Sequence, residues 1–189
     1  VSLAQDPRWR RLHDRGYACP CCGRRFEGLF DIAFERPDTW EGAPAPLPNG
    51  ALALDRDILT EDFCVQGPHR FVRCILPLPV QGAEERFAFG LWGTIKPDCL
   101  PEVVARFDDG TQGALGPYFS WLGNRLPGTD ASPVRASMHM QDNRQRPILM
   151  IEDEAHPYFA RQREGISFDE LLDIYAACGT DLRPHLLDG

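Results

Sequence analysis

Apolar and polar side chains alternate most clearly in the middle of the chain. Between residues 69 and 80, Val72, Cys74, Leu76, Leu78 and Val80 share one parity, the period of two that marks a strand. Pro77 and Pro79 hold the other parity, and a residue with no N–H favours a sheet edge or an early end to the ladder. After the turn Gln81-Gly82-Ala83-Glu84, residues 86–95 place Phe87, Phe89, Leu91 and Ile95 on one face, so the two segments read as a hairpin. Residues 133–141 alternate Val134, Ala136, Met138 and Met140 against Arg135, Ser137, His139 and Gln141. The polar turn at 142–145 then leads to a further strand, Ile148-Leu149-Met150-Ile151.

Helical spacing appears in three other places. Residues 7–16 form a short helix, with Pro7 early and Gly16 at the end. Leu100, Val103, Val104 and Phe107 make a core-facing stripe, with Asp98 as the expected cap and Pro101 in the first turn. Ser167 and Glu170 have the spacing of a capping box, Phe168, Leu171, Leu172 and Tyr175 face inward, and Gly179 ends the helix. Residues 35–50, with Pro37, Pro44, Pro46, Pro48, Gly42 and Gly50, read as an extended loop.

Strands with segregated helices predict an α+β fold, a mainly antiparallel sheet with a few short helices and an N-terminal Cys-x-x-Cys-Gly knuckle. The expected division is a basic arm or short helix at 1–16, one α+β domain at 17–179 and a C-terminal tail at 180–189. A chain of 189 residues is long enough for one ordinary core and cramped for two.

Charge narrows the partners. The net charge of −8 argues against nucleic acid, whose phosphates call for a basic surface. Residues 1–25 carry six arginines against Asp6 and Asp14, a local +4 that leaves −12 on the rest. Such an arm either docks an acidic protein partner or folds back on its own body, and the weakness of isolated surface charges favours the second. No apolar run reaches the roughly 18–20 residues of a membrane span, and the N-terminus lacks the order of a signal peptide. Seven cysteines without such a signal read as thiols or metal ligands, which places the chain in the cytoplasm.

Cys19-Pro20-Cys21-Cys22-Gly23 is the chemically suggestive string. A turn can bring the thiolates of Cys19 and Cys22 to one zinc ion, and Arg24 and Arg25 help to keep them ionised. A structural zinc needs four ligands. Spacing offers Cys64 with His69 as the second pair, or Cys64 with Cys74. Two readings stand beside zinc: a redox Cys-x-x-Cys, and reduced thiols in a tight turn.

Among other polar residues, Asn124 and Arg125 lie in an apolar stretch with Trp121, Leu122 and Leu126. They form either a structural hydrogen-bond network or an anion-recognition site beside Trp92 and Trp121. His156 precedes Pro157 at a helix start and suits a capping role, while His139 falls on the polar face of its strand. Phosphate-binding glycine loops, nucleophile elbows and zinc-protease motifs do not occur, and no catalytic triad emerges.

From Cys19 onward the chain carries Cys19-x-x-Cys22-Gly23, Asp62-Phe63-Cys64-Val65, His69-Arg70-Phe71-Val72-Arg73 and Phe89-Gly90-Leu91-Trp92-Gly93. The series continues through residues 118–128, Arg146-Pro147-Ile148, His156-Pro157 and residues 162–167. Together these segments resemble a bacterial family of unknown function, domain of unknown function 2199. The resemblance implies one domain in a bacterial cytoplasm and assigns no reaction, substrate or partner. The chain departs from it at Arg24, Arg25 and Phe26, where members often carry a polar residue or a histidine. The expectation is therefore a non-enzymatic binding or regulatory domain with a structural zinc. Its alternatives are a hydrolase-like or thiol-redox enzyme built on the Cys pair or the Asn124/Arg125 region, and a metal-independent interaction protein using its basic arm.

Overall fold

The computed structural model describes residues 2–42, 46–130 and 133–187, so Pro44 of the expected loop lies outside the described residues. Two compact units form. The first gathers Val1–Ile32, Pro77–Ala88 and Ala160–Gly189, and the second gathers Ala33–Leu76 and Phe89–Phe159.

In chain order the strands are β1 (Ile32–Ala33), β2 (Ile58–Leu59), β3 (Phe63–Gln66), β4 (His69–Pro79), β5 (Arg86–Ile95), β6 (Tyr118–Trp121), β7 (Arg135–His139) and β8 (Ile148–Ile151). The helices are α1 (Pro7–His13), α2 (Leu100–Asp109), α3 (Pro157–Glu164), α4 (Phe168–Ala177) and α5 (Arg183–Leu186). No helix among the described residues is long and apolar enough to cross a membrane.

All eight strands belong to one sheet, ordered β1-β5-β4-β8-β7-β6, with β3 also pairing β4 and β2 pairing β3. The expected hairpin partners, β4 and β5, are neighbours in it. The sheet is mixed, however, and this corrects the expectation of a mainly antiparallel one. β4 and β8 run parallel, with Ile75 opposite Ile148. The isolated bridges Leu47–Thr60 and Val80–Ile166 are parallel as well. A long connection through β5, α2, β6 and β7 separates β4 from β8, which gives the chain room for the crossover that parallel pairing requires.

The first unit is built around helix ends and aromatic stacking. Asp6 caps α1 by accepting from the Arg8 backbone N–H at 2.8 Å. The capping box of α4 forms: Ser167 Oγ accepts from the Glu170 N–H at 3.2 Å, and the Glu170 carboxylate accepts from the Ser167 N–H at 2.9 Å. Tyr175 of α4 stacks on Phe30 at 4.3 Å between ring centres and meets Phe87 edge-on at 5.6 Å. Its hydroxyl donates to the Phe30 carbonyl at 2.8 Å, satisfying its polar end within the core. The expected tail does not trail free. Leu182 and Leu186 are fully buried, and they anchor α5 as part of this unit.

In the second unit, Trp92 on β5 packs with Leu59, Cys64 and Phe71, and Phe34 and Trp40 close over them. The α2 stripe is as expected, with Leu100, Val103 and Phe107 buried. Asp98 does not cap it. It lies in a 3-10 turn, Pro97–Cys99, that runs directly into the helix, and no side chain caps the N-terminus. At the other end Gly110 takes the left-handed conformation, φ 73°, that closes a helix.

Candidate metal centre

The Cys19-Pro20-Cys21-Cys22-Gly23 string forms a tight turn closed by its own backbone. The Cys19 N–H donates to the Arg24 carbonyl at 2.9 Å, and the Gly23 N–H returns to the Cys19 carbonyl at 2.8 Å. Ala18 and Arg25 form an antiparallel bridge at its base. Gly23 sits at φ 73°, a left-handed conformation that side chains disfavour, so glycine is what lets the chain turn here. The turn gathers three sulfurs at its mouth.

α5 brings the fourth group. The Tyr17 hydroxyl donates to the His185 carbonyl at 2.9 Å, and Arg11 donates to the Leu186 carbonyl at 2.5 Å. Asp181 accepts from the Arg183 N–H at 3.0 Å, and the Arg183 guanidinium reaches Asp173 at 2.6 Å. With Leu182 and Leu186 buried on either side, these bonds hold the α5 backbone that carries His185.

The result is a cluster of Cys19, Cys21, Cys22 and His185 whose ligand atoms all lie within 4.8 Å of one another. Cys19 is buried, Cys21 and Cys22 are exposed, and His185 is intermediate. The Nδ1 atom of His185 stands 3.5 Å from Cys19 Sγ, 3.7 Å from Cys21 Sγ and 3.5 Å from Cys22 Sγ. Around a tetrahedral zinc, with metal–ligand distances of about 2.3 Å to sulfur and about 2.05 Å to nitrogen, such pairs stand about 3.6 Å apart. The imidazole is thus already at ligand spacing from all three sulfurs. Cys19 and Cys21 are closer to each other, at 3.0 Å, than two sulfurs on one zinc, which stand about 3.8 Å apart. This donor set could hold a metal ion.

Electrostatics favour a thiolate at the buried position. The hydrogen bond from the Cys21 thiol pulls the Cys19 thiol down to about 6. The His185 ring and the backbone N–H groups of Cys21 and Cys22 share in that lowering. Cys21, giving up its proton last, is pushed up to about 11. A deprotonated sulfur is the form that binds metal.

Of the four ligands expected from spacing, Cys19 and Cys22 come together and Cys64 and His69 are placed elsewhere. Cys64 is fully buried in the Trp92 cluster, and burial pushes its thiol up to about 12. His69 opens β4 on the surface, 6.4 Å from the Phe71 ring between centres. Cys74 is wholly buried and donates to the Val72 carbonyl at 3.2 Å. The two members that sequence reasoning missed are Cys21 and His185. Cys21 stood inside the motif, as the residue skipped by the x-x spacing. His185 lay in the stretch read as a tail.

The polar residues of the second unit have other partners. Asn124 is buried and held by three hydrogen bonds: its Oδ1 accepts from the Trp92 N–H at 2.9 Å, and its Nδ2 donates to the Arg36 carbonyl and to Asp38, both at 2.8 Å. The other Asp38 oxygen accepts from the Arg125 backbone N–H at 2.6 Å. The Arg125 side chain is exposed, so the carboxylate serves its backbone and not its guanidinium. Trp121 is 40% exposed and, with Arg125, lines a cavity of about 290 Å³. Trp92 is fully buried and lines its own apolar cluster. His156 caps α3, its Nδ1 accepting from the Tyr158 N–H at 3.3 Å. His139 is exposed, 3.0 Å from Ser137 Oγ.

Comparison with curated proteins and with solved structures finds no match. The family comparison does, over residues 18–166, a stretch that includes the three clustered cysteines and stops short of His185. That match covers most of the chain, and the protein therefore belongs to the DUF2199 family, described as an uncharacterized protein conserved in bacteria.

Proposed function

We propose that this chain is a non-enzymatic binding or regulatory domain of the bacterial cytoplasm, held together by a structural zinc at Cys19, Cys21, Cys22 and His185. The observation that carries the reading is the approach of three sulfurs and one imidazole nitrogen to within 4.8 Å. Four protein ligands leave no open position for water or substrate, which favours a structural over a catalytic metal. The ion would pin α5 to the cysteine turn by joining residues 163 positions apart in sequence, and its binding free energy would add to the stability of the folded chain. All seven cysteines are free thiols, in keeping with a reducing compartment. A binding role draws support from Phe119 and Trp121, which stand 50% and 40% exposed and edge-to-face on β6, at one end of the strand order. Asn124, by contrast, is buried and has both amide protons committed to Arg36 and Asp38.

Elemental analysis of untagged protein, purified under reducing conditions, tests the reading. One equivalent of zinc is expected, lost in Cys22→Ser and in His185→Ala. Fresh, reduced protein that neither carries zinc nor takes it up ends it.

A thiol-redox enzyme is the second reading, favoured by the 3.0 Å contact between Cys19 and Cys21. It requires the pair to cycle with a dithiol or disulfide substrate in protein free of metal. Turnover that persists after chelation would establish it.

A further inference from the structure

We infer that the cluster is a peroxide-sensitive release site, in which oxidation joins Cys19 to Cys21 and expels the ion. The inference rests on the zinc reading above.

Two geometric facts carry it. Cys21 is exposed, so a small oxidant reaches its sulfur directly. Cys19 is buried and lies 3.0 Å from that sulfur, closer than two ligands need to be to share an ion. In the zinc-bound cluster the ion would hold the solvent-facing Cys21 sulfur as a thiolate, and with a second sulfur at hand behind it a sulfenic acid is captured as a disulfide before further oxidation. The four-residue helix α5 would then lose its metal tether, leaving the carbonyl bonds from Tyr17 and Arg11 and its two buried leucines.

The oxidant is hydrogen peroxide or an alkyl hydroperoxide. Cys21 Sγ attacks one peroxide oxygen, the O–O bond breaks, and hydroxide (or alkoxide) leaves, giving Cys21 sulfenic acid. Cys19 Sγ then attacks the Cys21 sulfur, the S–S bond forms and the sulfenic oxygen departs as hydroxide. The two sulfurs lose two electrons in all and the peroxide gains them. The departing oxyanions take up two protons from solvent. Cys22 and His185 remain as the only ligands, too few for a closed tetrahedral site, and the zinc leaves. A thiol reductant returns both sulfurs to ligand form.

The test uses the full-length, zinc-loaded chain, titrated with hydrogen peroxide while a chromophoric chelator reports free zinc. Peptide mass spectrometry maps the disulfide. Release of about one zinc per peroxide consumed is expected, with a Cys19–Cys21 disulfide and recovery of bound metal after dithiothreitol. Cys99→Ser and Cys178→Ser, which alter the half-buried thiols outside the cluster, should leave release unchanged. Zinc retained at tenfold excess peroxide overturns the inference. So does release that follows sulfinic acid formation or depends on Cys99 or Cys178. A chain that never takes up zinc fails the structural-metal reading instead, and peroxide treatment of that metal-free chain then tests the Cys19–Cys21 pairing by itself.

Discussion

The Nδ1 atom of His185 lies 3.5 Å from the Sγ atom of Cys22, across 163 positions of sequence. An ion bridging two such distant points binds only the folded chain at full strength, so its affinity appears as stability. Free zinc at a thousand times its dissociation constant should stabilise the chain by about 4 kcal/mol. Thermal unfolding with and without a strong chelator measures this. With zinc in the buffer His185→Ala should melt at a lower temperature than the parent chain, and with chelator the two should melt almost alike.

Asn124 ties the Trp92 amide to Asp38 and to the Arg36 carbonyl within a buried site. Asn124→Ala strands the Trp92 N–H and removes a donor from the Asp38 carboxylate. The expected cost is about 2–3 kcal/mol in urea unfolding, the magnitude of buried polar groups left unpaired. Arg125→Ala at the neighbouring position keeps the backbone bond to Asp38 and should change stability by less than about 0.5 kcal/mol.

The capping box of α4 makes stability depend on acid. The Ser167 N–H, with help from the Ser167 hydroxyl and Arg161, holds the Glu170 carboxyl below its ordinary value of 4.5. The folded-state value is the lower of the two, so the stabilisation is complete above the ordinary value and fades as pH falls through the lowered one. Glu170→Gln should flatten this acid limb in unfolding curves taken at successive pH values. Ser167→Ala removes the reciprocal bond and should cost about 1 kcal/mol near neutrality.

Two glycines separate the cost of backbone conformation from that of crowding. Gly165 has φ 84°, and a Cβ there would stand 2.9 Å from the Pro79 carbonyl oxygen. Gly179 has φ 88° with open space around it. Gly179→Ala should therefore cost about 1–2 kcal/mol for the left-handed conformation alone. Gly165→Ala should cost more and disturb the Val80–Ile166 bridge. Parallel denaturation curves of the two variants make the comparison.

Features written within one turn or one strand could be read from the sequence. The Ser167–Glu170 box, the buried parity of β4, the inward face of α4 and the Cys19–Cys22 turn all depend on neighbours a few residues apart. Pairings across long separations could not. Nothing in the alternation of β8 says that Ile148 lies beside Ile75 with the strands parallel. Spacing alone offered Cys64 and His69 as ligands, but Cys64 belongs to a wholly apolar cluster. His185 gave almost no signal, because Leu182-Arg183-Pro184-His185-Leu186 is too short for a helical period to stand out. A pattern of one leucine on either side of a lone histidine was its only trace.

The separation of His185 from the cysteine turn also bears on synthesis. A ribosome adding about 5–20 residues per second needs roughly 8–30 seconds to travel from Cys22 to His185. During that interval the three thiols exist on a nascent chain before their imidazole has been made. A metal captured early would be held by an incomplete set, open to exchange with other cellular ligands. Final loading of a zinc ion would thus be timed by translation, and a stalled or truncated product would be marked by an unfinished site.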